Sequence, residues 1–305
     1  AMMRSTTLPA RDLWYSEGHI NYYYGGQYFA VFLTKLSHTK VELTYNLMRT
    51  FVAGLAFAMP FSLVYQMMSD RMKGQQKSEK VIKGLPFAAG FTAGTAVSIA
   101  GNMHYVIYAQ IIPLIEKLTG KEVSSYWFPD ATRYIGYNPY REEDRTIHET
   151  IHEFPSYSFV LGDLHAHVVN IMFVLLVIAL LYVWLRGVRK KTVPVETSMK
   201  DGKFWKEQLL MPHLLVISVL LGMFQWTNFW DFVIYYVVTL GTVLFANIIR
   251  FQGKIKKIIV VTFAQMAEIY LLAYLVILPF TLQFDTMVDG IGIAKYHSYF
   301  YQLLV

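Results

Sequence analysis

Apolar residues in this chain gather into long blocks separated by short charged segments. Six blocks approach or exceed the length that a hydrocarbon core of about 30 Å demands of a helix rising 1.5 Å per residue. They are 43–68, 82–100, 168–185, 209–224, 229–249 and 258–282. The pattern predicts an all-α, polytopic membrane protein with about six full spans. The weakest block is 209–224, which is short and carries Pro212 near its start, where a first-turn proline is tolerated. A seventh block, 22–36, is interrupted by Gly25, Gly26 and Lys35. As a helix it would reach only about 22 Å, so it is expected to lie at the interface rather than to cross.

The longest stretch without a span is 101–167. Its start, 104–118, reads as helical, and its middle is rich in aromatic residues and turns, from Trp127-Phe128-Pro129-Asp130 to Tyr137-Asn138-Pro139-Tyr140. The chain therefore divides into an interfacial segment (1–42), a two-helix hairpin (43–100), a loop subdomain (101–167), a four-helix membrane region (168–282) and the start of a further segment (283–305). Residues 1–17 are polar, with no apolar stretch of a signal peptide. The other end stops within an aromatic and apolar run, and both ends read as cuts.

Charge sets the orientation. Segments 70–83, 186–206 and 250–257 hold 16 of the 27 lysines and arginines. An even number of expected crossings separates each from the next, so one assignment places all three in the cytoplasm. The opposite face then receives eight of the nine histidines and fifteen of the 21 acids. The net charge of +6 is thus a matter of membrane topology rather than of nucleic-acid binding. With no cysteine in the chain, disulfides and thiolate metal sites are excluded.

Titratable groups cluster on that expected outer face. His148-Glu149-Thr150-Ile151-His152 matches H-E-x-x-H, in which histidines four apart on a helix hold zinc and the glutamate is the general base. Glu153, Asp163, His165 and His167 are candidates for a third ligand. Pro155 limits any such helix, and a solvated polar turn explains the same residues. In Gly162-Asp163-Leu164-His165-Ala166-His167, the three titratable residues alternate, so an extended segment aims them to one side, as a metal or phosphate ligand set would require. The competing reading makes Asp163 a helix N-cap. Asn228 and Asp231, in the turn Trp226-Thr227-Asn228-Phe229-Trp230-Asp231, read first as caps and then as sugar or phosphate contacts. Trp230 and the patch Asn21-Tyr22-Tyr23-Tyr24 suit both headgroup level and sugar stacking. Arg49 and Glu268 fall inside apolar blocks, where charge is costly and functional by default.

Four blocks together carry a resemblance. They are Leu13-Trp14-Tyr15-Ser16-Glu17-Gly18-His19-Ile20-Asn21-Tyr22-Tyr23-Tyr24-Gly25-Gly26-Gln27, Tyr45-Asn46-Leu47, Glu153-Phe154-Pro155-Ser156-Tyr157-Ser158-Phe159 running into Gly162-Asp163-Leu164-His165-Ala166-His167, and Thr227-Asn228-Phe229-Trp230-Asp231-Phe232 with Leu278-Pro279-Phe280. The chain resembles the YYY family of large multi-pass membrane proteins, which is similar in architecture to the type C glycosyltransferases. It departs from the family pattern at Gly26, where Phe is usual, and at Ala166, where Pro is usual. The resemblance implies a sugar transferase of the plasma membrane that uses a polyprenyl-phosphate-linked donor on the outer face. Asp163, His165 and His167 would be catalytic, and Asn21, Tyr22, Tyr23, Tyr24, Arg49, Asn228, Trp230 and Asp231 would bind substrate. The implied partners are membrane lipid and the donor. A further helix and an acidic motif carrying the base are expected before Ala1.

The candidate cofactor is a divalent metal ion, held by His165 and His167 or, in the alternative, by His148 and His152. Two other functions compete with sugar transfer. One is a membrane-embedded zinc hydrolase built on His148, Glu149 and His152. The other is a transporter that uses Arg49 and Glu268 as an intramembrane pair.

Overall fold

The computed structural model describes residues 1–15, 17–73, 79–132, 152–190, 198–286, 290, 292–293 and 300–304. Its helices are α1 (Gly25–Ser37), α2 (Val41–Met72), α3 (Glu79–Ser98), α4 (His104–Val106), α5 (Ile112–Leu118), α6 (Pro155–Leu161), α7 (Ala166–Lys190), α8 (Gly202–Leu209), α9 (Pro212–Thr227), α10 (Phe229–Phe251), α11 (Ile255–Thr281) and α12 (Phe300–Leu303). A π turn at Ile107–Ile111 joins α4 to α5, and a 3-10 turn covers Phe128–Thr132. There is no strand among the described residues, only an isolated antiparallel bridge between Arg11 and His19.

Among the described residues, four helices are long and apolar enough to cross a membrane: α2, α7, α10 and α11. A fifth crossing exists if α8 and α9, bent by 50° across the break at residues 210–211, form one span. Two of the six expected spans are not met on length and composition alone. Block 209–224 does not stand alone, because Pro212 opens a new helix just after the break and α9 keeps only 16 residues. Block 82–100 does form a helix, α3, but Gly84, Gly90, Gly94, Thr92 and Thr95 dilute its apolar character. The short block 22–36 becomes α1, whose 13 residues reach about 20 Å and fall short of a bilayer core.

Burial concentrates on α9. Leu214, Ile217, Leu221 and Phe224 are completely buried against Val177, Val243, Ala246, Ile269 and Ala273 of α7, α10 and α11. Gly222 sits where a Cβ would come within 2.5 Å of the Ala273 carbonyl oxygen. Lipid tails are as apolar as leucine, so membrane helices associate through close backbone approach of this kind. The α2–α3 hairpin uses the same device. A Cβ at Gly90 or Gly94 would lie 2.7 Å from the Phe61 carbonyl or 2.9 Å from that of Phe57. Rings of Phe57, Phe61, Phe87 and Phe91 close the seam above them.

Two polar assemblies sit at opposite ends of this bundle. At the end where α10 stops and α11 starts, the buried Asn247 donates to Gln265 Oε1 (2.8 Å) and Thr262 Oγ1 (3.0 Å). Gln265 Nε2 donates to the Gln208 carbonyl at 2.9 Å, while Arg250 donates to Asn247 Oδ1 at 3.0 Å and to Gln208 Oε1. This network ties the α8–α9 break to its neighbours. At the other end α7 and α10 begin, α9 and α11 finish, and α1 is docked.

Candidate functional site

Local chain chemistry builds that second end. Helix α6 finishes at Gly162, whose φ of +77° is a conformation that residues with a Cβ rarely adopt. The Gly162 and Asp163 amides both donate to the Ser158 carbonyl, at 2.8 and 2.9 Å. The chain then turns sharply, and α7 starts three residues later. A Cβ on Gly162 would be 2.4 Å from the guanidinium carbon of Arg49, so the bare glycine backbone is the surface against which Arg49 lies. Arg49 donates to Asn46 Oδ1 at 3.0 Å, and the Tyr45 hydroxyl donates to the Gly162 carbonyl at 3.3 Å.

The connection aims both histidines inward. Nδ1 of His165 and Nδ1 of His167 are 2.9 Å apart, and Nε2 of His165 is 3.3 Å from Glu153 Oε2. With Glu153 ionised, Nε2 of His165 carries its proton toward the carboxylate. A neutral His165 then accepts at Nδ1 from the Nδ1–H of His167. That assignment, made from hydrogen-bond complementarity, leaves Nε2 of His167 as a lone pair. This atom is buried and has no hydrogen-bond partner within normal geometry. One ligand atom from each of Glu153, His165 and His167 lies within 4.8 Å of those of the other two.

The α9–α10 turn closes one side. Asn170, completely buried one turn along α7 from His167, donates to Asp231 Oδ2 at 2.6 Å and accepts from the Thr227 hydroxyl at 2.7 Å. Asn228 donates to the same Asp231 oxygen at 2.9 Å. Asp231 is thereby fixed within electrostatic reach of His167. The aromatic patch closes another side. Tyr23 stacks on Phe229 with centroids 6.4 Å apart, and Tyr24 meets Trp226 edge-on at 5.6 Å and Phe280 at 5.8 Å. Burial, with the neighbouring Tyr23, Glu153 and Asp163, raises the Tyr22 phenol above its ordinary value and keeps it a neutral donor. Gln27 of α1 donates to the Leu164 carbonyl at 2.8 Å, tying α1 to the histidine connection.

The structure thus brings together Tyr22, Tyr23, Tyr24, Arg49, Asp163, His165, His167, Asn228 and Asp231. Asn21 and Trp230 are placed differently, and Asp163 sits at the exposed edge of the group. Asn21 exchanges two hydrogen bonds with the backbone of Asp285, at 2.8 and 3.0 Å. Trp230 is 47% exposed and meets Phe229 edge-on. The capping readings do not hold for Asp163 and Asn228, while Asp231 lies in the first turn of α10. The first turn of α7 is closed by the His165 carbonyl, which accepts from the Val168 and Val169 amides, so Asp163 lies two residues too early. Asn228 precedes α10 without a side-chain cap bond and holds Asp231 instead.

His148 and Glu149 lie outside the described residues, and the His152 side chain is exposed while its amide donates to the Thr132 carbonyl at 2.7 Å. Arg49 and Glu268 do not pair: Arg49 lies at the Gly162 turn, and Glu268, on α11, has a buried Oε2 without a partner. Sequence reasoning passed over Gln27 and Asn170, which contact the site through single side chains on otherwise apolar helix faces. For Asn170 the signal was an amide one turn after His167, on the histidine's own face.

Helices that bury one another on a lipid-length scale, with a polar cluster at one end, define a multi-pass helical membrane protein. The chain belongs to the family described as Uncharacterized membrane protein (DUF2298), whose model matches residues 1–305. No curated protein and no solved structure matches the chain.

Proposed function

We propose that this protein is a plasma-membrane glycosyltransferase of the type C kind, moving a sugar from a polyprenyl-phosphate-linked donor to an acceptor on the outer face. One observation carries the reading: a carboxylate–imidazole–imidazole chain, Glu153–His165–His167, sits at the end of an apolar bundle beside a wall of tyrosines. Sugar transfer from such a donor needs four things in one place. These are a base for the acceptor hydroxyl or amide, stabilisation of the leaving phosphate, an aromatic surface for the sugar, and contact with lipid. The exposed Asp163 carboxylate is suited to take the acceptor proton. His165 and His167 would face the leaving phosphate, and Arg49 would add a guanidinium. Tyr22, Tyr23 and Trp230 offer ring faces, while Asn21, Asn228 and Asp231 offer polar contacts. In this reading Tyr24, which is buried, supports the wall rather than touching sugar.

The test is transfer itself. The purified protein, in liposomes containing polyprenyl-monophosphate-linked sugars labelled in the sugar ring, is supplied with acceptor extracts from the source membranes. Label should move from lipid to acceptor. Asp163→Asn and His165→Ala should each lower the rate by about 10²-fold or more, as loss of a general acid–base group does. Label that stays on the lipid, or variants as fast as the parent, would refute the assignment.

A further inference from the structure

The charges of the site do not match a phosphate. Glu153 lies beside His165, Asp231 lies within electrostatic reach of His167 and the exposed Asp163 within reach of Tyr22, while the one guanidinium nearby, that of Arg49, lies against the Gly162 backbone. A lipid phosphate entering this field would meet more negative charge than positive. At the same time Nε2 of His167 is buried with no hydrogen-bond partner within normal geometry. A bound cation would account for both facts. We propose that Glu153, His165 and His167 bind one divalent transition-metal ion of the zinc or manganese type, whose remaining positions take phosphate oxygens or water.

The donor set supports this class of ion. Two imidazoles and one carboxylate suit zinc and its neighbours, whereas magnesium and calcium prefer all-oxygen shells. Three protein ligands leave positions open, as catalytic rather than structural sites do. Bonds of about 2.0–2.1 Å in a tetrahedron would put donors about 3.3 Å apart. His165 meets His167 through Nδ1 at 2.9 Å and Glu153 through Nε2 at 3.3 Å, and one ligand atom from each of the three residues lies within 4.8 Å of the other two. His165 has to exchange one of those two contacts for the ion, a side-chain rotation within a half-buried cluster. Outside the ligands, Asp231 is held by Asn170 and Asn228 at 2.6 and 2.9 Å, a fixed second carboxylate of the kind that surrounds metal-bound histidine. The ion's role toward phosphate rests on the sugar-transfer reading above, but its binding does not.

The test uses the metal alone. The purified chain in detergent, stripped with chelator, is titrated with Zn²⁺, Mn²⁺ and Mg²⁺ and followed by calorimetry. One saturable site per chain is expected for Zn²⁺ or Mn²⁺, with Mg²⁺ at least about 10-fold weaker. Glu153→Gln should weaken binding by about 10-fold or more, and the double variant His165→Ala/His167→Ala should abolish it. His152→Gln should leave it unchanged. Absence of a site in the parent protein, or a site that survives the double variant but is lost in His152→Gln, overturns the proposal. If the double variant does not keep its helical circular dichroism, X-ray absorption of the zinc-loaded parent decides. Two imidazoles with oxygen ligands are expected, and fewer than two imidazoles overturn it. Metal binding without sugar transfer would refute the enzyme reading alone, and transfer without metal binding would refute this site alone.

Discussion

At the residue scale, one glycine sets the turn on which the site is built. Gly162 both ends α6 with a positive φ and presents bare backbone to Arg49. Gly162→Ala therefore meets two obstacles. The left-handed backbone costs about 1–2 kcal/mol for a residue with a Cβ, and the new methyl falls inside contact distance of the guanidinium. A thermal melt of the purified variant should show a loss of at least that size, accompanied by loss of transfer activity. Gly54→Ala, where a Cβ meets nothing within 4 Å, should be close to neutral, and equal melting of the two variants would contradict this account of the turn. The sequence displayed the Gly-Asp-Leu-His-Ala-His block but not its geometry. Alternation suggested that Asp163, His165 and His167 share one face. The chain instead turns at Gly162 and enters α7 at Ala166, so Asp163 is left exposed while the histidines point to Glu153. Glu153 pairs with His165 only because α6 folds the intervening residues back, a tertiary event with no periodic signal.

At the element scale, the spans that stand alone were legible because apolar length is the dominant signal in lipid. Blocks 43–68, 168–185, 229–249 and 258–282 reappear as α2, α7, α10 and α11, each extended by a few residues at one or both ends. What length could not reveal was the break before α9, nor the Gln208–Asn247–Gln265 network that braces it, since single amides hardly perturb an apolar run. The loop helix α4 carries a device of its own. His104 is 5% exposed, with Nδ1 3.1 Å from the Tyr126 hydroxyl and its ring stacked on Tyr108 at 4.4 Å. Burial lowers the His104 pKa, partly offset by Asp130, and burial also pushes the Tyr126 phenol up to about 12. The unfolded loop, with an ordinary histidine, binds more protons than the folded one. The contribution is therefore present above the ordinary histidine pKa of about 6.5 and declines as pH falls through it. Protection of segment 104–132 against hydrogen exchange, taken relative to the intrinsic rate at each pH, should fall between pH 7.5 and pH 5.5, and His104→Phe should flatten that response. An equal pH response in the variant would show that another group is responsible.

At the scale of the whole molecule, the two ends of the bundle differ in chemistry. One gathers Glu153, Asp163, His165, His167 and Asp231 at the starts of α7 and α10. The other carries the basic segments after α2, α7 and α10. That polarity is the basis for placing the site on the outer face, and the sugar-transfer reading fails without it. The chain has no cysteine, so single cysteines can be introduced at exposed positions of either end. Thr119 follows α5 in the histidine-side loop, and Ser198 lies in the basic segment between α7 and α8. In intact cells, a membrane-impermeant maleimide should label Thr119→Cys and leave Ser198→Cys untouched until the membrane is opened. Labelling of Ser198→Cys from outside, with Thr119→Cys protected, would put the candidate site in the cytoplasm and contradict the account.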